Sequence, residues 1–233
     1  MLTLKIFPPA FGEISGSPFS AKALCLMEMS GARYECLVTH RSDKAPKKKL
    51  PVLEHNNKII PDSDQIRDYL EAEFSVDFDS GLSAEQKAVS RAVIRMTEEN
   101  IYFAIVSSRW QTDDNWPTLR DEFFGSVPKL LKGIISSKIR KQVIAMLIGQ
   151  GMGRHSPAEQ VARIGKDIAA IETLLGDKPF LFGDTPTAAD ATVVPMLRAM
   201  AVFPNTTELT QLVQTRTALM DYIERGSDVM YPK

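Results

Sequence analysis

The chain has 233 residues, 44% of them hydrophobic and 24% charged, which suits a globular protein with a sizeable core, built as one large domain or two modest ones. Its 28 Lys and Arg against 29 Asp and Glu leave a formal charge of -1, so there is no overall attraction to nucleic acid or anionic lipid, and only local patches can supply one. No apolar run reaches the roughly 18 residues of a membrane span, and Met1 to Pro9 has no basic segment followed by an apolar one; a soluble cytoplasmic protein without nucleic-acid or membrane partners is expected.

Leu2, Leu4 and Ile6 alternate along a first strand, Leu2 to Phe7, that Pro8-Pro9 must end. Pro18 suits the first position of a helix, in which Ala21, Leu24 and Cys25 recur at helical spacing until Ser30-Gly31 closes it. Tyr34, Cys36 and Val38 then alternate as a second strand, and a strand-helix-strand unit of this length makes a right-handed parallel pair. Leu50-Pro51-Val52-Leu53-Glu54 and Lys58-Ile59-Ile60 flank Asn56-Asn57, residues that tolerate turn geometry, and so form a hairpin. Asp62-Ser63-Asp64 can cap a helix with Ile66, Tyr69 and Leu70 on one face. The order is βαβ followed by ββα.

From Asp77 to Ser83 the chain is rich in Asp, Ser and Gly, and beyond it the signals are helical. This divides the chain into 1–77 and 83–233. Ser83-Ala-Glu-Gln86 is a capping-box pattern opening a long helix, and Ser156-Pro157-Ala158-Glu159 is another, with Pro at the first helical position. Val161, Ile164, Ile168, Ile171 and Leu175 line one face before Gly176, and Leu209, Leu212, Val213, Leu219, Tyr222 and Ile223 read as one further amphipathic helix. The second part should be an all-helical bundle. Lys138, Arg140 and Lys141 read as a solvated helix face, and Gly149-x-Gly151-x-Gly153 as a turn, since it lacks the strand and spacing of a dinucleotide site. Cys25 and Cys36 share no redox or disulfide spacing, and His40, His55 and His155 have no metal-site pattern, so reduced thiols and no metal are expected.

This plan resembles the glutathione transferase superfamily, and four motifs in order carry the likeness: Ser17-Pro18-Phe19-Ser20-Ala21-Lys22, Leu50-Pro51-Val52-Leu53, Asp62-Ser63-Asp64-Gln65-Ile66 and Thr187-Ala188-Ala189-Asp190. Within the superfamily the chain is most similar to the failed-axon-connections and metaxin-related branch with its bacterial relatives, through Pro46-Lys47-Lys48-Lys49 running into Leu50-Pro51, Ile60-Pro61-Asp62-Ser63, Arg109-Trp110 and the Gly149 to His155 stretch. The resemblance implies a thioredoxin-like, glutathione-binding α/β domain followed by the family's all-α domain. It also implies a homodimer, with glutathione as co-substrate and a small hydrophobic electrophile as second substrate.

A free thiol has a pKa of about 8.5, so a transferase must stabilise the thiolate. By resemblance to serine-type classes, Ser17 takes that role, at the positive end of the first helix; its alternative is an ordinary N-cap, and Ser20 is a rival for the thiol. The resemblance places the rest of glutathione on Phe19, Lys49, Leu50, Pro51, Asp62 and Ser63. A cis Leu50-Pro51 bond would turn the Leu50 backbone toward the extended tripeptide, while Asp62 pairs with the γ-glutamyl ammonium and Ser63 with its carboxylate. Lys49 is the best placed of the lysines for the glycyl carboxylate. Thr187 and Asp190 form a structural cap. Phe11, Tyr102, Phe103 and Trp110, with Trp116, are candidates for the electrophile pocket between the domains.

Nine residues, Pro8 to Gly16, separate the first strand from Ser17, a loop long enough to reshape or cover the thiol site. Two rival functions follow. One is a non-catalytic module using the same fold for binding or protein contacts; the other is a thiol oxidoreductase relying on Cys25, disfavoured because Cys25 lies well inside the first helix.

Overall fold

A computed structural model describes residues 1–233. β1, Leu2–Ile6, buries Leu2, Leu4 and Ile6 and leaves Thr3 and Lys5 half-buried on its other face, as strict alternation requires. It stops one residue short of Phe7, whose carbonyl accepts the Ser15 hydroxyl at 2.9 Å instead of a ladder bond. α1, Pro18–Ser30, closes on Gly31 at φ 66°, the left-handed conformation glycine adopts without cost. β2, Tyr34–Val38, runs parallel to β1 from Leu2↔Tyr34 to Ile6↔Val38. β3, Val52–His55, pairs antiparallel with β1 and with β4, Lys58–Pro61, giving the sheet order β2-β1-β3-β4. Asn56 and Asn57, at φ 48° and 63°, make the hairpin turn whose twist matches the strands. α2, Ser63–Phe74, completes the thioredoxin-like βαβ-ββα unit.

The remainder is helical. α3, Ala84–Met96, starts from a closed capping box: the Gln86 N–H donates to Ser83 Oγ at 3.2 Å, and the Ser83 N–H donates to Gln86 Oε1 at 2.9 Å. It passes through a π-helical turn, Thr97–Ile101, into α4, Tyr102–Trp110. Then come α5, Trp116–Phe123; α6, Lys129–Gln150; α7, Pro157–Leu175; α8, Ala188–Ala201; α9, Glu208–Gln214; and α10, Thr217–Met230. The single helix expected over Leu209–Ile223 is therefore two. The break falls at Arg216, which leaves helical geometry at φ -106°, ψ 96°; its guanidinium is held by Glu172 of α7 at 3.1 Å and by the Leu212 carbonyl, contacts that periodicity does not report.

One apolar core runs without interruption from Leu2 to Met230, with α8 packed against α1, α3, α9 and α10. The Thr187–Asp190 cap opens α8 and does more than that. Asp190 Oδ2 accepts the Thr187 N–H at 2.8 Å and its hydroxyl at 2.7 Å, while Oδ1 accepts the Leu181 N–H at 2.9 Å and the Tyr222 hydroxyl at 2.8 Å. Burial raises the Asp190 pKa against these four donors, which stabilise its ionised form.

Candidate active site

The chain between β1 and α1 is a compact, internally bonded loop. Ala10 and Glu13 exchange backbone hydrogen bonds of 3.3 and 2.9 Å, Gly16 donates to the Pro8 carbonyl at 2.7 Å, and Phe11 and Gly12 both take positive φ, 55° and 77°. The buried Glu13 carboxylate pins the loop to the helical part, accepting from Arg198 of α8 and from the Tyr231 hydroxyl at 3.0 Å. Burial pushes the Glu13 pKa up while Arg198 and Tyr231 oppose it. Gly16 lies so close to Ala10 and Phe123 that an added Cβ would sit 3.2 and 3.3 Å from them. This loop delivers Ser17 to the N-cap of α1 at φ -115°, ψ 118°, half-buried and with its hydroxyl making no capping bond. Ser20, its rival, is fully buried, and its hydroxyl has no partner.

Leu50–Pro51 is a cis peptide, and neither the N–H nor the C=O of Leu50 has a backbone partner. The register Val52↔Pro61 brings this segment against the start of α2, where the Asp62 N–H donates to the Pro51 carbonyl at 3.2 Å. Asp62 sits at φ 80°, strained for a residue with a Cβ, and caps α2 by accepting the Asp64 N–H at 2.9 Å. Ser63, the first residue of α2, is buried. Leu50, Pro51, Asp62 and Ser63 are thus gathered at one place. Lys49 is exposed and joins no ion pair; among the lysines, Lys47 approaches Asp62, at 3.8 Å.

The second turn of α1 and the first turn of α2 are locked together by a residue to which sequence reading gave no role. Lys22, fully buried in α1, lies 2.6 Å from Asp64 of α2 and 2.7 Å from Glu98 in the π-helical turn. Arg91 reaches Asp64 at 2.7 Å and Arg95 reaches Glu98 at 2.9 Å, so two carboxylates share three cations. Burial alone would raise the Asp64 pKa, but Lys22 and Arg91 outweigh it and hold it at about 2. For Glu98, burial wins over Lys22 and the pKa is raised. The signal was visible in Ala21-Lys22-Ala23-Leu24-Cys25-Leu26-Met27, where one charge interrupts an apolar run; its two partners were not, because Glu98 is 76 residues away.

The aromatic candidates separate into two groups. Phe19 stacks edge-on against Tyr102 at 4.7 Å, and Tyr102 against Phe103 at 5.2 Å, beside the start of α1. Phe11 packs on Phe123 and Phe203, and Trp110 on Trp116, Phe123 and Phe124, forming a cluster around the loop. Arg109, 7% exposed, lies between Phe11 and Phe203 at 5.2 and 5.0 Å, and burial lowers its pKa to about 10. Cys25 is fully buried, which pushes its thiol pKa far up and leaves it unreactive.

A model of the glutathione S-transferase N-terminal domain matches residues 18–116, and one of the glutathione S-transferase C-terminal domain matches 164–226. An isoprene-epoxide–glutathione S-transferase of Rhodococcus sp. (strain AD45) is 32% identical over 97% of both chains. The chain belongs to the glutathione S-transferase family. It is also similar to failed axon connections of Drosophila melanogaster, 30% identical over 78% of this chain and 46% of that one. In fold it matches a glutathione S-transferase of Ceriporiopsis subvermispora in complex with glutathione, with a TM-score of 0.67 at 16% identity, covering 98% of this chain and 96% of that one. No helix is long and apolar enough to cross a membrane.

Proposed function

We propose that this transferase binds glutathione extended along Leu50–Pro51 and joins its sulfur to a small hydrophobic electrophile, with Ser17 stabilising the thiolate. The observation that carries this reading is the unpaired Leu50 backbone lying beside the Asp62–Ser63 start of α2. An extended peptide can pair with the first, and its γ-glutamyl carboxylate with the first-turn N–H groups and Ser63. Asp62 takes the ammonium, Lys49 the glycyl carboxylate, and Phe19 closes the cleft toward the helical domain.

The thiol releases its proton to solvent, and the Ser17 hydroxyl donates a hydrogen bond to the sulfur at the helix N-terminus; each unit of thiol pKa lowered corresponds to about 1.36 kcal/mol. The sulfur lone pair then forms the C–S bond as the electrophile's leaving bond breaks. The Rhodococcus relative's name makes small epoxides the first electrophiles to assay; there a ring C–O bond breaks, and the oxygen takes a proton from water. Tyr102 and Phe103, next to Phe19, form the near wall of the electrophile site, and Phe11 and Trp110 its loop side. Residues 1–77 and 83–233 act as the two domains, in a cytoplasmic homodimer that light scattering would test.

Ser17→Ala should keep glutathione binding, read as a rise in melting temperature with added glutathione, and lower kcat about 10- to 100-fold. Unchanged turnover would remove Ser17 from the chemistry. Absence of any glutathione-dependent rise in the parent chain would replace the enzyme with the non-catalytic module.

A further inference from the structure

Arg109 is the one arginine of the chain that is buried, and it joins no ion pair. The half-buried arginines are matched to carboxylates: Arg67 to Asp79 at 2.8 Å, Arg216 to Glu172 at 3.1 Å, Arg198 to Glu13. Glu13 is the acid whose charge Arg109 feels, but its two oxygens are taken by Arg198 and by the Tyr231 hydroxyl. Of the five N–H donors of Arg109, only Nη2 is engaged, on the Ala199 carbonyl of α8. The Phe11 and Phe203 rings hold the charge at 5.2 and 5.0 Å and accept no N–H from it in a hydrogen bond. Nε and Nη1 therefore have no partner. Because Ser20 Oγ is the only fully enclosed side-chain polar atom in that condition, these nitrogens lie on the 7% of Arg109 that stays open. Tyr102, seven residues earlier on the same face of α4 and about 10 Å away along its axis, stacks on Phe19 beside Ser17 and Pro18. From the loop side, Phe11 packs on Phe123, whose ring lies against Gly16, the residue before Ser17. Arg109 thus stands at the back of the space that these aromatics enclose next to the start of α1.

We propose that Arg109 is the oxygen-binding residue of the electrophile pocket, its free N–H groups holding the oxygen on which negative charge builds as the glutathione sulfur attacks. This rests on the reading of the cleft given above and narrows the second substrate to electrophiles that leave their charge on oxygen, epoxides first. In an epoxide the sulfur lone pair forms the C–S bond and the ring C–O pair passes to oxygen. The resulting alkoxide, held by the guanidinium, takes a proton from water. A desolvated cation with no carboxylate is costly to fold, so a purely structural arginine would be expected to have a partner here. The same desolvation makes its N–H groups strong donors to an oxyanion, already in place before the charge appears. Burial lowers the Arg109 pKa only to about 10, so the group is still charged near neutrality.

The experiment compares 1,2-epoxybutane with 1-iodobutane in the full chain, in Arg109→Met and in Arg109→Lys. The two electrophiles have the same carbon skeleton, but one releases its charge as an alkoxide and the other as iodide, a weak base that needs no hydrogen-bond donor. Methionine replaces a buried cation with an apolar chain, an exchange that cores often tolerate, and the melting temperature and glutathione KM report whether fold and cleft survive it. Epoxide kcat/KM should fall about 100-fold in Arg109→Met, the usual effect of losing an oxyanion donor, with a loss on the iodide at least about 10-fold smaller. Arg109→Lys keeps the charge without the planar fork and should lose about 10-fold on the epoxide. Equal losses on the two substrates, an Arg109→Met chain that keeps its epoxide turnover, or a parent chain that takes the iodide and not the epoxide would each overturn the inference and leave the transferase reading standing. Should Arg109→Met not fold, the lysine variant decides: a loss confined to the epoxide supports the assignment, and equal losses overturn it. A parent chain that joins glutathione to neither substrate would instead remove the transferase reading on which the inference rests.

Discussion

Two helices rich in apolar residues meet opposite fates in this molecule. α8 buries 13 of its 14 residues, whereas α6 buries two of 22. Their surroundings differ more than their hydrophobicity. α8 passes between α1 of the sheet domain and α3, α9 and α10, so every side of it faces another element. α6 packs chiefly on α4 and the short turn at Met152–Arg154, leaving most of its circumference without a neighbour. The polar groups follow the same division. In α8 Asp190 has four donors, and Arg198 holds the Glu13 carboxylate that pins the loop ahead of Ser17. The core helix is thus tied to the loop that places Ser17, while most of the peripheral helix touches nothing else in the chain.

The largest effect that would test this division is at the start of α8. Asp190→Ala leaves the Thr187 and Leu181 N–H groups and the Tyr222 hydroxyl without their acceptor in a dry interior, at about 1–3 kcal/mol each before relaxation. A net loss of about 3–5 kcal/mol, most of a typical domain's stability, should appear in urea denaturation. A loss below about 1 kcal/mol would mean that α8 is not the anchor its burial suggests.

Next comes the lock between the sheet domain and the helices. Lys22→Met removes the cation shared by Asp64 and Glu98, but Arg91 and Arg95 remain to partner them, so the cost should be about 2–3 kcal/mol, below that of a wholly unpaired buried charge. If the lock also positions the Asp62–Ser63 turn, the glutathione KM of this variant should rise with little change in kcat. A KM that stays put while stability falls would limit Lys22 to folding.

The same cluster sets a smaller, pH-dependent effect. Asp64 has a folded pKa of about 2 against an ordinary 3.8, so its contribution is complete above about pH 4 and is lost as pH falls toward 2. The shift corresponds to about 1–2 kcal/mol after allowing for the carboxylate's partial exposure. Glu98 and Glu13 have the opposite sign. Their raised values favour the fold at low pH and lose that contribution as pH rises through them, so they soften the acid limb. Stability measured from about pH 2 to pH 5 should therefore slope less in Asp64→Asn than in the parent chain, and an unchanged slope would dismiss the Asp64 assignment.

Local signals made much of the architecture legible in advance. Ser83 and Ser156 announced their helices because a capping box is complete within four residues, and Asn56-Asn57 announced the hairpin because its turn needs nothing beyond two residues at positive φ. The arrest of the chain at Arg216 was hidden because it depends on Glu172, 44 residues earlier. In the candidate site, Leu50–Pro51 and Asp62–Ser63 could be found separately as motifs, yet their meeting depends on the β3–β4 register. The division of the aromatics was out of reach altogether: Phe11 and Phe19 lie in one stretch of sequence, but Phe11 packs on Phe123 of α5 and on Phe203 after α8, and Phe19 on Tyr102 of α4. The exposure of α6 was equally silent, because apolar spacing marks a face without saying whether anything covers it.

That silence frames the smallest effect. The double variant Leu130→Ser/Ile134→Ser should change urea stability by less than about 0.5 kcal/mol, since side chains already in water bring no burial to lose. Comparable truncations in the α8 core, where Val194 and Leu197 are fully enclosed, would each cost about 2–4 kcal/mol. The contrast holds only while the α6 face is solvated in the free chain. A loss above about 1.5 kcal/mol that grows with protein concentration would mean the face is already covered by another copy, and α6 would then belong with α8 among the buried helices.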